Sequence, residues 1–151
     1  MKVEIEQDAH LLSPEITIRC PVIDEDILRI VAMLRVQEQK ITGILEGDYY
    51  LLDAKDILYF ESVDKRTYCY TREKVYECPL RLYEIEEKLG HADFLRISKA
   101  VVINFGGIQS IHPDFGGRLT LTLENGERQC VSRQYAPAIR QKLMPTRRSQ
   151  S

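Results

Sequence analysis

Tryptophan is absent from this 151-residue chain, and its three histidines, His10, His91 and His112, stand far apart. None falls in an HExxH or a mixed Cys/His spacing, so the sequence encodes no local zinc cage. There is no GxSxG elbow, no P-loop, and no GxGxxG following a strand. Cys20, Cys69, Cys78 and Cys130 form no CxxC pair. The chain opens Met1-Lys2-Val3-Glu4, without an apolar secretion segment, so reduced thiols and a cytoplasmic location are expected. No apolar run approaches the roughly 20 residues that a membrane helix needs. Asp24-Glu25-Asp26 and Glu84-Glu86-Glu87 fall on helix first turns or wet faces, where solvation explains them better than acid–base work. These absences argue against an enzyme, and no cofactor or metal is expected.

Hydrophobic content of 44% and charged content of 29% are values of a chain that buries one ordinary core. The formal charge of -2 conceals an asymmetry. Residues 1–60 hold six Lys/Arg and twelve Asp/Glu, a balance of -6, whereas residues 61–151 hold fifteen and eleven, a balance of +4. A local basic surface matters more to a polyanion than the total does.

Most of the elements read as strands. Glu15–Arg19 alternates and predicts an N-terminal strand. Asp24 is an N-cap for an amphipathic helix over 24–37, whose Ile27, Ile30, Val31 and Leu34 recur at helical spacing. From Lys40 the period becomes two, with a hairpin turning at Glu46-Gly47-Asp48. Strands follow over Ile57–Ser62, Thr67–Thr71 and Lys74–Tyr76. Pro79 then opens a helix with a Leu82, Ile85 and Leu89 stripe, a Glu84–Lys88 pair on its wet side, and a stop at Gly90. Phe94–Arg96, Ala100–Ile103, Ile108–Ile111 and Leu119–Leu123 continue the strand pattern, and Asn125-Gly126 is a strong hairpin signal. A last helix begins near Ser132, with Tyr135, Ile139 and Leu143 on one side. Residues 145–151 read as a disordered tail.

Three polar and basic clusters sit at strand ends: Asp64-Lys65-Arg66-Thr67, Arg96-Ile97-Ser98-Lys99 and Ser132-Arg133-Gln134. Such a cluster taken singly is a solvated turn. Three on one small β domain suit nucleic acid, because Arg grips guanine bidentately while Lys and Ser bind phosphate.

The order of these motifs resembles the LytTR family of bacterial DNA-binding domains. The resemblance rests on Asp56-Ile57-Leu58-Tyr59-Phe60-Glu61-Ser62 and on the Leu82–Leu89 helix leading into Phe94-Leu95-Arg96-Ile97-Ser98-Lys99. It also rests on Val102-Ile103-Asn104, the 126–131 strand and Ser132-Arg133-Gln134-Tyr135. It implies a mainly β fold with short helices, an elongated antiparallel β-sheet domain over 39–144, preceded by a strand-plus-helix extension over 1–38. It further implies a transcriptional regulator whose loops enter successive major grooves of double-stranded DNA. Carried over by position, Arg133 and Lys99 read bases, and Lys65, Arg66 and Thr67 position or read in the adjacent groove. Ser98, Ser132 and Gln134 touch phosphate, and Arg96 is counted among the DNA-binding residues. Two departures stand out: Ser98-Lys99-Ala100 replaces the common His-(Lys/Arg/Asn)-Ser, and Thr67 is shorter than the His some members carry.

Only about 38 residues precede the domain, so no phosphoacceptor receiver is expected. The chain is similar to stand-alone members, which are often paired with a small restraining membrane protein. A homodimer, or paired binding on repeated sites, is the expected assembly, with the N-terminal helix as a contact for a second copy or a regulator. An alternative from another class is a protein-interaction or sequestering module on the same scaffold, with little specific DNA binding.

Overall fold

The computed structural model describes residues 1–36 and 39–143, so the tail expected over 145–151 lies outside the described residues. Alternating apolar residues build ten strands: β1 (Lys40–Leu45), β2 (Asp48–Asp53), β3 (Ile57–Val63), β4 (Arg66–Thr71), β5 (Val75–Cys78), β6 (Phe94–Ser98), β7 (Val101–Asn104), β8 (Ile108–Pro113), β9 (Leu119–Leu123) and β10 (Arg128–Val131). Helix α1 (Glu25–Val36) precedes them, α2 (Leu82–Leu89) separates β5 from β6, and α3 (Ala136–Leu143) closes the described chain.

The strands form a seven-stranded sheet, ordered β2-β1-β5-β4-β3-β7-β6, and a three-stranded sheet, ordered β10-β9-β8. Every pairing is antiparallel. The larger sheet is the middle layer. On one face Ile57, Phe60, Cys69 and Val102 pack with Ala32 of α1 and with Leu82, Ile85 and Leu89 of α2. On the other face Leu58, Tyr59, Ile97 and Ile103 meet Leu119, Leu121 and Leu123 of β9 and Ala136 and Ile139 of α3. A register shift between Ile57 and Tyr59 turns Leu58 and Tyr59 toward the same core, an interruption that strict alternation would forbid. Each fully buried leucine here contributes roughly 1.5–3 kcal/mol by leaving water.

Several local expectations hold. The Asp24 carboxylate accepts the Ile27 N–H at 3.1 Å and caps α1, and Gly90 follows α2 as its C-cap. The alternation of β9 is buried at Leu119, Leu121 and Leu123.

Others are corrected. Glu15–Arg19 forms no strand: the segment pairs with no other, and Ile16 is 69% exposed. An isolated extended segment has no ladder partner for its backbone, so alternation alone does not fix it. On α1 Ala32 is fully buried, while Ile27, Ile30 and Val31 of the expected stripe are only partly covered and Leu34 is exposed. Glu84 is buried rather than wet. Pro79 precedes α2 by three residues, since the helix starts at Leu82. The last helix starts at Ala136 rather than near Ser132, which leaves Pro137 in its first turn, and Leu143 is exposed.

Candidate nucleic-acid interface

The strand register decides where the three clusters lie. β3 ends at Val63 and β4 begins at Arg66, joined by the two-residue turn Asp64-Lys65. Both turn residues have positive φ, 50° and 66°, the twist that suits a tight hairpin. The left-handed conformation costs non-glycine residues on the order of 1 kcal/mol each. Beside this turn the β6–β7 connection carries Lys99, and the Ser62 N–H donates to the Ala100 carbonyl at 2.8 Å. The third cluster is joined to the same end, because the Ser132 N–H donates to the Ile97 carbonyl at 3.0 Å. Residues distant in sequence are thus gathered at one end of the middle sheet.

The cations at this end divide into two kinds. Arg96 is half-buried and committed: Nη1 meets Glu86 at 2.5 Å, while Nε and Nη2 donate to the Ser98 and Lys99 carbonyls at 2.9 and 2.5 Å. It staples its own hairpin turn to α2. Arg66 is exposed but pairs with Glu77 at 2.6 Å, and that carboxylate raises the guanidinium pKa further. By contrast Lys65, Lys99 and Arg133 are exposed and make no ion pair among the described residues. The Arg133 stem lies over Gly117, whose positive φ of 82° leaves an uncluttered backbone there.

Ser98 and Ser132 are half-buried and bonded within the protein: Ser98 Oγ accepts the Ala100 N–H at 3.2 Å, and Ser132 Oγ donates to the Ile97 carbonyl at 3.4 Å. Gln134 is exposed beside Arg133. Thr67 requires a correction. It is 4% exposed and lies on the face of β4 that Cys69 shares with the α1/α2 core, so little of its side chain reaches the surface.

One part of this end was missed in the sequence. The β8–β9 loop, Asp114-Phe115-Gly116-Gly117-Arg118, sits against Arg133 and presents Phe115, 101% exposed, together with an exposed Arg118. The loop is fastened at its base, where the Asp114 carboxylate accepts the Thr120 hydroxyl and meets His112 Nδ1 at 3.1 Å. Those contacts hold the Asp114 carboxyl below the usual carboxylate range, Thr120 first and His112 second. In the sequence this glycine-rich loop reads only as a turn, because Arg133 comes to lie against Gly117 only in the folded chain.

The profile of the LytTr DNA-binding domain matches residues 47–144. The chain belongs to the LytTR family. An uncharacterized HTH-type transcriptional regulator of Staphylococcus aureus is 24% identical over 145 residues, covering 95% of this chain and 98% of the relative. A counterpart from a second strain of that species is 23% identical over the same length. A solved LytTr DNA-binding domain from Bacillus cereus is 28% identical and superposes with a TM-score of 0.66, over 72% of this chain and 98% of the other. This LytTR chain is a DNA-binding regulator with a mainly antiparallel β fold. Among its described residues no two α-helices follow one another, so no helix-turn-helix occurs among them. No helix among them is long and apolar enough to cross a membrane.

Proposed function

We propose that this LytTR protein is a sequence-specific transcriptional regulator that reads successive major grooves of double-stranded DNA through strand-end loops. Arg133 and Lys99 are its base readers. Lys65 and Gln134 contact phosphates, and Ser98 and Ser132 shape the turns that carry the readers and lend hydroxyls to the backbone. Arg66 and Arg96 act mainly as supports for those turns, and Thr67 acts from below the surface. The β8–β9 loop adds Arg118 for phosphate and Phe115 for apolar contact with a base edge such as the thymine methyl.

The observation that carries this reading is the gathering of Lys65, Lys99 and Arg133, without an ion pair among the described residues, at one end of the sheet. Rigid presentation of cations and hydrogen-bond donors is what base and phosphate contacts require. In this reading residues 39–144 are the DNA-binding unit and residues 1–38 a contact for a second copy or a regulator. The protein works in the cytoplasm, as a homodimer or in pairs on repeated sites.

The test is selection of bound fragments from the fragmented source genome by purified protein, followed by binding of the Arg133→Ala variant to the recovered sequences. A shared sequence motif is expected among them. The variant is expected to lose about 1–3 kcal/mol of binding, with relaxed specificity at one position. Fragments without any common motif, or a variant that binds as well as the parent, would overturn it.

A further inference from the structure

The β3–β4 turn is held from outside its own hairpin. Arg81 Nη1 donates to the Lys65 carbonyl at 2.8 Å, fixing the left-handed residue at the tip. The Arg81 backbone N–H donates in turn to Glu84 Oε1 at 2.9 Å, a capping contact at the start of α2. The same carboxylate oxygen accepts from Arg29 Nη2 of α1, also at 2.9 Å. Glu84 is only 5% exposed, and a buried carboxylate stays in place only with partners that satisfy it. One buried charge therefore ties the N-terminal helix to the segment that clamps the exposed tip. Arg29, Arg81 and Lys65 also line one cleft of about 430 Å³, which brings α1 alongside the tip.

We infer that Arg29, Glu84 and Arg81 form a relay of positioning residues through which the state of α1 sets how well the Lys65 turn engages DNA. The inference rests on the DNA-reading function proposed above. Its logic is local: the tip adopts a conformation that Asp64 and Lys65 do not favour on their own, so removing its clamp releases it. A second copy or a regulator seated on α1 that displaced Arg29 would leave Glu84 with one partner fewer and loosen the anchor of Arg81. Lys99 and Arg133 do not touch this chain of contacts, so the effect is confined to the groove next to the β3–β4 turn.

The test uses the full chain and the fragments recovered by selection, read by quantitative footprinting and thermal melting. Arg81→Met is expected to weaken binding about tenfold, the size of one hydrogen bond made by a charged group. It should erase protection over the base pairs covered by the β3–β4 turn while protection assigned to Arg133 persists. Arg81→Lys, which restores a donor, should recover part of both. Arg29→Gln should give the same local loss, and Arg29→Gln with Arg81→Met should be no worse than Arg81→Met alone, since the effect of Arg29 reaches the turn only through the Arg81 guanidinium that Arg81→Met already removes. Two independent phosphate contacts would instead add, and each would lower the salt dependence. Additive losses, or footprints unchanged by both substitutions, overturn the relay, and Arg81→Lys and Arg29→Gln decide the matter if Arg81→Met melts below the assay temperature. If the parent chain itself protects no sequence, it is the DNA-reading function that fails.

Discussion

Among the cations at the sheet end, position in the chain says less than what each nitrogen already touches. Arg96 spends its donors on Glu86 and on two carbonyls of its own turn, while Lys65 meets no anion among the described residues. The two should behave differently when removed. Lys65→Ala is expected to weaken binding equally for all DNA sequences and to lower the salt slope by about one, which titrations across a range of salt concentrations measure. An unchanged slope would remove Lys65 from the phosphate contacts. At this scale the exposed cations were legible, because Lys65, Lys99 and Arg133 occupy turns next to well-marked strands. Thr67 and Glu84 were not, for a shared reason. Their burial depends on α1 and α2 packing over the same face, and Glu84 finds its partner 55 residues away. Phe115 escaped notice because nothing in its neighbourhood but a folded β10 brings Arg133 alongside.

Elements show the same division between local and non-local signals. The β9–β10 hairpin was readable from three leucines at alternate positions and from Asn125-Gly126, where Gly126 has a φ of 90°. The strand expected at Glu15–Arg19 had equally good alternation but no neighbour to pair with. β1 shows how an element depends on closeness. A Cβ at Gly43 would stand 2.9 Å from the Tyr76 Cβ on β5. Gly43→Ala is therefore expected to destabilise the fold by about 1–3 kcal/mol through overpacking, measurable by urea denaturation; equal stability would mean that β1 shifts freely on β5. α1 has its own consequence, because its outer Ile27, Ile30 and Val31 are only partly covered and Leu34 is exposed. If that face joins two copies, Leu34→Glu should convert a dimer to a monomer in light scattering while the monomer still melts cooperatively. A parent chain that is monomeric at high concentration would assign the helix to another partner.

Across the whole molecule, two cores on opposite faces of one sheet trap several groups that ionise only in strong base. Burial is the first cause for Cys78, pushed up from 9.0 to about 12, and for Cys69, raised well above its ordinary value. Tyr70 rises from 10.0 to about 12 through burial and its bond to Glu61, and Tyr59, stacked on it at 4.3 Å and bonded to Glu127, is raised as well. In each case the folded chain keeps a proton that the unfolded chain releases. Stability is thus complete below the ordinary values of 9.0 and 10.0 and declines as the pH climbs toward about 12. Denaturation midpoints should fall steadily over that alkaline window, and a flat profile would show that these groups are open to water. The molecule as a whole carries a formal charge of -2, so its attraction to DNA depends on local cations exposed at the sheet end rather than on total charge. That end is assembled from turns of different hairpins joined by backbone bonds, and Lys99 and Arg133 themselves lie exposed on it. Under the proposed function, a substitution at the exposed Lys99 or Arg133 changes a base contact and leaves the neighbouring strand ladders untouched, so operator preference can drift one contact at a time on an unaltered chassis.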